Sequence, residues 1–185
     1  MNDRPLTHTA HQRLLPRLHE GDLAVDATAG NGHDTLFLAR RVGVEGHVYA
    51  FDIQPQALEE TGRRLQEAGM ASRVTLLQAG HEEMERRLPA EVRGHLAAVM
   101  FNLGYLPGSD KQRVTTASTT LQALEQAVRL LAPGGLLSVL AYRGHPGGRE
   151  EAEAVGERLS SLPGLAIEVL ESPGPVLFLA RKRGV

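Results

Sequence analysis

Residues Leu23 to Thr35, LAVDATAGNGHDT, constrain this chain more than any other stretch. A short apolar run ends in an acidic residue, two glycines follow with one residue between them, and a helix start comes next. This order predicts a buried strand turning sharply into a helix whose first backbone N–H groups face a ligand. Gly30 and Gly32 have no Cβ and take positive φ at little cost, so a cofactor can lie against the backbone of the turn. A dinucleotide fingerprint would place a third glycine three residues after Gly32, where this chain has Thr35. Asp26 is a second departure, because a carboxylate beside the loop repels a pyrophosphate and suits a positively charged cofactor. S-adenosylmethionine, with its sulfonium and α-ammonium groups, is such a cofactor.

The next segments extend the unit. Asp34 to Val42 has helical spacing and stops at Gly43, and the strand His47 to Phe51 ends in Asp52. Asp52 follows Gly32 at about the interval where a nucleotide-binding βαβ unit places an acid to accept hydrogen bonds from ribose hydroxyls. Gln54 lines the same edge, and Pro55 suits the first turn of a helix running to Ala68. A third strand, Arg73 to Gln78, leads to Gly80 and His81, where an open α/β sheet seats the base of a nucleotide. His81 either meets that base or caps the helix Glu82 to Leu88.

Leu96 to Phe101, LAAVMF, is a nearly continuous apolar run, as expected of a central parallel strand covered on both faces. It delivers Asn102 and the loop NLGYLPG. The Asn102 amide oxygen can accept a hydrogen bond from an attacking amine while the Tyr105 ring holds a planar substrate, an arrangement suited to methyl transfer to nitrogen. A helix is expected over Thr115 to Leu131, broken by Pro133-Gly134-Gly135, then a strand from Leu136 to Tyr142. His145, in the loop that follows, can be a base, a substrate contact or a loop former. The helix Glu150 to Ser161 precedes an antiparallel pair, Ala166 to Leu170 and Val176 to Ala180. At the N-terminus, Thr7 to Leu18 reads as a short helix interrupted at Pro16, with His11 capping or facing solvent.

With 185 residues, of which 42% are hydrophobic, the chain can bury one full core, and a single domain is expected over residues 1–185. A net charge of −2 argues against a broad basic surface that coats nucleic acid, though not against a local patch. The pairs Arg40-Arg41, Arg63-Arg64 and Arg86-Arg87 and the tail Arg181-Lys182-Arg183 read as solvated element ends. The absence of cysteine excludes disulfides, thiolate metal sites and cysteine nucleophiles, and no metal is required by the chemistry above. No apolar stretch approaches the roughly 18 residues that span a bilayer, so a cytoplasmic protein without a membrane partner is expected.

Five βα units and a terminal hairpin predict a three-layer, Rossmann-like α/β fold with a seven-stranded, mostly parallel sheet whose last strand is antiparallel. This order resembles class I S-adenosylmethionine-dependent methyltransferases over nearly the whole chain. The motifs DATAGNGHDT, FDIQ, AGHEEM, NLGYLPGSDK and GHPGGREE narrow the likeness, and together resemble the YtqB-like rRNA methylase family. The resemblance implies methylation of the aminomethyl group of 5-aminomethyl-2-thiouridine at the tRNA wobble position. By position it implies that Asn31, Asp34, Asp52, Gln54 and His81 surround the cofactor, with Asp26, Gly30 and Gly32 shaping its loop. Thr28, Thr35, Ile53, Gly80 and Asn102 complete the cofactor set. Asn102, Tyr105 and His145 fall where the substrate amine enters and form the catalytic set. A chain with so little outside its core is expected to grip tRNA through loops or as a homodimer. Other acceptors stay open, rRNA or a small molecule, as do a nicotinamide-dependent oxidoreductase and a non-catalytic S-adenosylmethionine-binding protein.

Overall fold

The apolar runs become strands buried between two layers of helices. The structure is a computed structural model that describes residues 5–104 and 117–184. In chain order its elements are α1 (Leu6–Leu14), β1 (Leu23–Asp26), α2 (His33–Val42), β2 (His47–Asp52), α3 (Pro55–Glu67), β3 (Val74–Gln78), α4 (Met84–Arg87), β4 (Leu96–Leu103), α5 (Ala117–Leu130), β5 (Leu131–Ala141), α6 (Gly148–Ser161), β6 (Leu165–Glu171) and β7 (Val176–Lys182). The sheet order is β3-β2-β1-β4-β5-β7-β6. Strands β3 to β5 pair in parallel, and β7 runs antiparallel between β5 and β6. This is the Rossmann-like methyltransferase arrangement that the element order predicts.

Because successive side chains on a strand point to opposite faces, each strand feeds two cores. Ala24, Val48, Ala98 and Met100 pack with Leu14, Leu18, Leu38 and Leu65 of the N-terminal layer. Val25, Phe51, Val99 and Phe101 pack with Met84, Leu124, Val155 and Leu159 on the other side. The helices move from one face to the other after β3, so β1 lies between β2 and β4. A crevice opens at the carboxyl ends of strands where the winding reverses in this way.

Three boundaries differ from expectation. Pro133-Gly134-Gly135 does not separate α5 from its strand: β5 begins at Leu131, directly after the helix. Leu96 pairs with Leu131 and Ala98 with Leu136, so residues 132–135 bulge out of the ladder. Gly134 allows this with φ +82°. Second, β4 extends through Leu103, which makes Asn102 a strand residue held in the ladder opposite Leu140. Third, the helix expected over 82–88 is a single turn of α4 preceded by a 3-10 turn at His81–Glu83. Pro89 explains its end, since the residue before a proline is pushed out of the helical region and Leu88 has ψ 148°. Tyr105, the rest of the NLGYLPG loop beyond Gly104, and the expected helix start at Thr115 lie outside the described residues.

Candidate functional site

The turn after β1 is held from beneath. Asp26 is fully buried; its Oδ1 accepts the Thr28 N–H at 3.1 Å and its Oδ2 accepts the Thr35 hydroxyl at 2.6 Å. Burial, with a smaller contribution from the charge of Asp34, pushes its carboxyl up to about 7. The expectation that Asp26 and Thr35 face the cofactor is therefore corrected: both are spent on fixing the loop and neither lines the cavity above it. Gly32 is corrected likewise. At φ +78°, a Cβ there would stand 2.9 Å from Thr61 Cα, so the glycine admits α3 rather than a ligand.

Above the loop lies a cavity of about 890 Å³ at the carboxyl ends of β1 to β5. Thr28, Gly30, Asn31 and Asp34 form one wall, Asp52, Ile53 and Gln54 the next, and Gly80, His81 and Glu82 the floor beside them. Asn102, Gly104, Tyr142 and His145 close the far end. The Asp52 carboxylate accepts the Gly30 N–H and the Gln54 N–H, each at 2.9 Å. Each oxygen keeps further acceptor capacity, which is what a pair of ribose hydroxyls requires. Ile53, 49% exposed although apolar, offers a flat plate beside it.

His81 caps no helix. It is buried, meets Phe101 edge-on with ring centroids 5.5 Å apart, and hydrogen-bonds the Ala27 backbone. Burial holds its pKa below the ordinary histidine value, so the ring is neutral. Its Nε2 has no partner among the described residues. A buried acceptor of this kind in a cavity wall has room for a ligand's donor.

At the far end, the Asn102 backbone N–H donates to Thr28 Oγ1 at 2.7 Å, which clasps the β1 turn to the end of β4. Tyr142 lies over Gly104, where a Cβ would be 3.5 Å from the ring. Its phenol pKa is raised by burial and by the charge of Asp34. His145 lines the cavity with Nδ1 3.1 Å from the Pro146 carbonyl. Arg143 fastens the loop holding His145 to the β6–β7 turn, donating to the Gly174 carbonyl at 2.9 Å.

His11 requires a correction. It neither caps a helix nor stands in solvent; together with Thr7 it forms part of the cavity wall. Its Nε2 lies 2.6 Å from Asp34 Oδ1, and its ring stacks on Phe37 at 3.9 Å with planes 1° apart. Local sequence carries no sign of this, because it depends on α1 folding back onto β5 and β7. Tyr142, expected only as the end of a strand, also lines the cavity. Across the described residues, Asp34, Asp52 and Glu82 line the cavity and no lysine or arginine does. The site is built for a ligand carrying positive charge.

Residues 48–173 match the family described as "Putative rRNA methylase". A tRNA (mnm(5)s(2)U34)-methyltransferase, chloroplastic, from Arabidopsis thaliana is 44% identical over 165 residues, covering 85% of this chain and 60% of that protein. The chain thus spans about three fifths of that relative's length. A Clostridium thermocellum crystal structure carrying the same rRNA-methylase description is 36% identical, with a TM-score of 0.92 over 98% of this chain and 100% of the other. A Streptococcus mutans protein described as a methyltransferase and crystallised in complex with SAH is 31% identical, with a TM-score of 0.85 over 98% and 99% of the two chains. The chain belongs to this rRNA methylase family and shares its methyltransferase fold.

Proposed function

We propose that the protein is an S-adenosylmethionine-dependent N-methyltransferase of RNA, and that its acceptor is the aminomethyl group of 5-aminomethyl-2-thiouridine at the tRNA wobble position. The observation that carries the reading is the anionic cavity in which Asp52 and the Asn102 amide stand at opposite ends. The named activity of the Arabidopsis relative supports the choice of acceptor. A bound S-adenosylmethionine supplies a methyl group already made electrophilic by its sulfonium.

The chain's own residues bind and orient. Asp52 accepts the ribose hydroxyls, Ile53 covers a face of the base, and His81 Nε2 takes a donor from its edge. Thr28, Gly30, Asn31 and Asp34 line the path of the amino-acid portion, and the carboxylates favour its ammonium. Asn102 accepts a hydrogen bond from the acceptor amine and so aims its lone pair along the line of displacement. Tyr142 and His145 flank the entering nucleoside, and Tyr105 is assigned to the same role. Among the described residues no lysine or arginine lines the cavity to hold phosphates, so grip on RNA is assigned to surrounding loops or a second copy. We assign a homodimer acting in the cytoplasm; no helix among the described residues is long and apolar enough to cross a membrane.

The test is transfer of labelled methyl to tRNA from cells lacking the protein, with mass analysis of the nucleosides. The methylaminomethyl nucleoside should appear in tRNA alone. Label in rRNA, or none in any RNA, would overturn the assignment.

A further inference from the structure

We infer that His11 is the base that takes the proton from the acceptor amine, and that Asp34 is the residue that positions it. The inference rests on the N-methyltransferase reading above. An alkylamine resembling a lysine side chain has a pKa near ~10.4, so only about one molecule in 10³ is neutral near pH 7. A protonated amine has no lone pair to attack a methyl group, so a proton must leave first.

His11 and Asp34 lie on α1 and α2, 23 residues apart, and converge at the cavity wall. With Asp34 Oδ1 2.6 Å from Nε2, the carboxylate selects the tautomer protonated at Nε2 and leaves the Nδ1 lone pair as acceptor. Nδ1 has no hydrogen-bond partner among the described residues. Parallel stacking on Phe37 at 3.9 Å fixes the plane of the ring. A base oriented by a carboxylate through its second nitrogen is the arrangement general base catalysis needs. His81 is unsuited to the task, its ring being buried against Phe101 and its Nε2 already assigned to the edge of the cofactor's adenine.

The proton and electron balance closes. The ammonium gives one proton to Nδ1, forming an imidazolium paired with Asp34. The amine lone pair then forms the N–C bond as the S–C bond breaks, its electrons returning to sulfur. The product is a secondary ammonium and a neutral thioether, and the imidazolium releases its proton to solvent. The titratable groups that share this cavity are His33 and Asp34 on α2, Asp52, His81 and Glu82 along its other walls, and Tyr142 and His145 across it, with Asp26 beneath the loop.

The test is the single-turnover transfer rate, at saturating S-adenosylmethionine and tRNA carrying the aminomethyl nucleoside, from about pH 6.5 to 9.5. His11→Gln should slow transfer about 10²-fold near neutral pH. The deficit should shrink as pH rises, because solvent then deprotonates the amine, and the cofactor Kd should stay within about threefold of the wild type. Asp34→Asn keeps a hydrogen-bond acceptor but removes the charge, so its acid limb should move to lower pH; it also reads the pair if His11→Gln melts. A deficit that is the same at every pH, or one explained by weaker cofactor binding, would overturn the base assignment while leaving the methyltransferase reading intact. Absence of transfer by the wild-type enzyme would overturn both.

Discussion

Asp52 and Gly30, 22 residues apart, are joined by a 2.9 Å hydrogen bond in which the glycine N–H donates to the carboxylate. The acid proposed to hold the ribose therefore also holds the turn proposed to carry the rest of the cofactor. In the proposed function, recognition of the sugar and the shape of the loop then depend on one side chain.

Asp52→Ala should accordingly do more than delete a ligand contact. It strips the partner from the Gly30 and Gln54 N–H groups, and a hydrogen bond to a charged group is worth about 1.5–3 kcal/mol. The Kd for S-adenosylmethionine should rise at least tenfold by calorimetry. An unchanged Kd would remove Asp52 from the site.

Asn102→Ala separates binding from chemistry. The clasp to Thr28 uses the Asn102 backbone and survives the substitution. Cofactor affinity should stay within about twofold, while transfer slows by one to two orders of magnitude, in the range of a lost positioning hydrogen bond. Weaker cofactor binding with normal turnover would reverse the division of roles between Asp52 and Asn102.

Asp26 predicts a pH dependence of stability. Its carboxyl is raised from 3.8 to about 7, so between these values the folded chain retains a proton that the unfolded chain has released. The stability it contributes is complete below 3.8 and is lost as pH rises to about 7. Asp26→Asn cannot ionise, so its melting temperature relative to wild type should climb across this window and then level off. A difference independent of pH would show that Asp26 is charged at neutrality.

Gly32→Ala tests the close approach of α3. The substitution sets a Cβ 2.9 Å from Thr61 Cα, backbone that cannot rotate away, at φ +78°. A cost of about 1–3 kcal/mol is expected, or roughly 2–4 °C in Tm per kcal/mol for a chain of this size. Wild-type stability in the variant would mean that the loop yields.

Ile53→Ser is the converse case. The side chain is 49% exposed and contributes little to the core, so Tm should hold. Loss of its apolar face should raise the cofactor Kd severalfold; an unchanged Kd would mean that no ligand rests on it.

The element order was legible because the central strands are apolar runs, β1 and β2 ending in Asp26 and Asp52 and β4 followed by Gly104, and the positions of Asp52, Gln54 and Asn102 follow from that order. What misled were signals with two structural outcomes. Pro133-Gly134-Gly135 reads as a break between elements, but with Leu131 already paired to Leu96 it is absorbed as a bulge against β4. Asp26 reads as a ligand-facing charge, yet the Thr28 N–H and the Thr35 hydroxyl turn it inward. His11 was not legible at all, since its partner Asp34 belongs to another helix and the encounter is purely tertiary.

The reversed final strand decides where the most basic segment of the chain ends up. β7 starts at Val176 beside Ala141, at the cavity end of the sheet, and carries Arg181 to Leu136 at the opposite pole. Seven residues at about 3.3 Å each put that cluster roughly 20 Å from the mouth. There the Lys182 ammonium donates to the Leu131 carbonyl at 2.7 Å, closing off the junction of α5 and β5. A ligand in the cleft therefore stays at the other end of the sheet from this cluster, in which Lys182 serves as an internal fastening while Arg181 and Arg183 remain exposed.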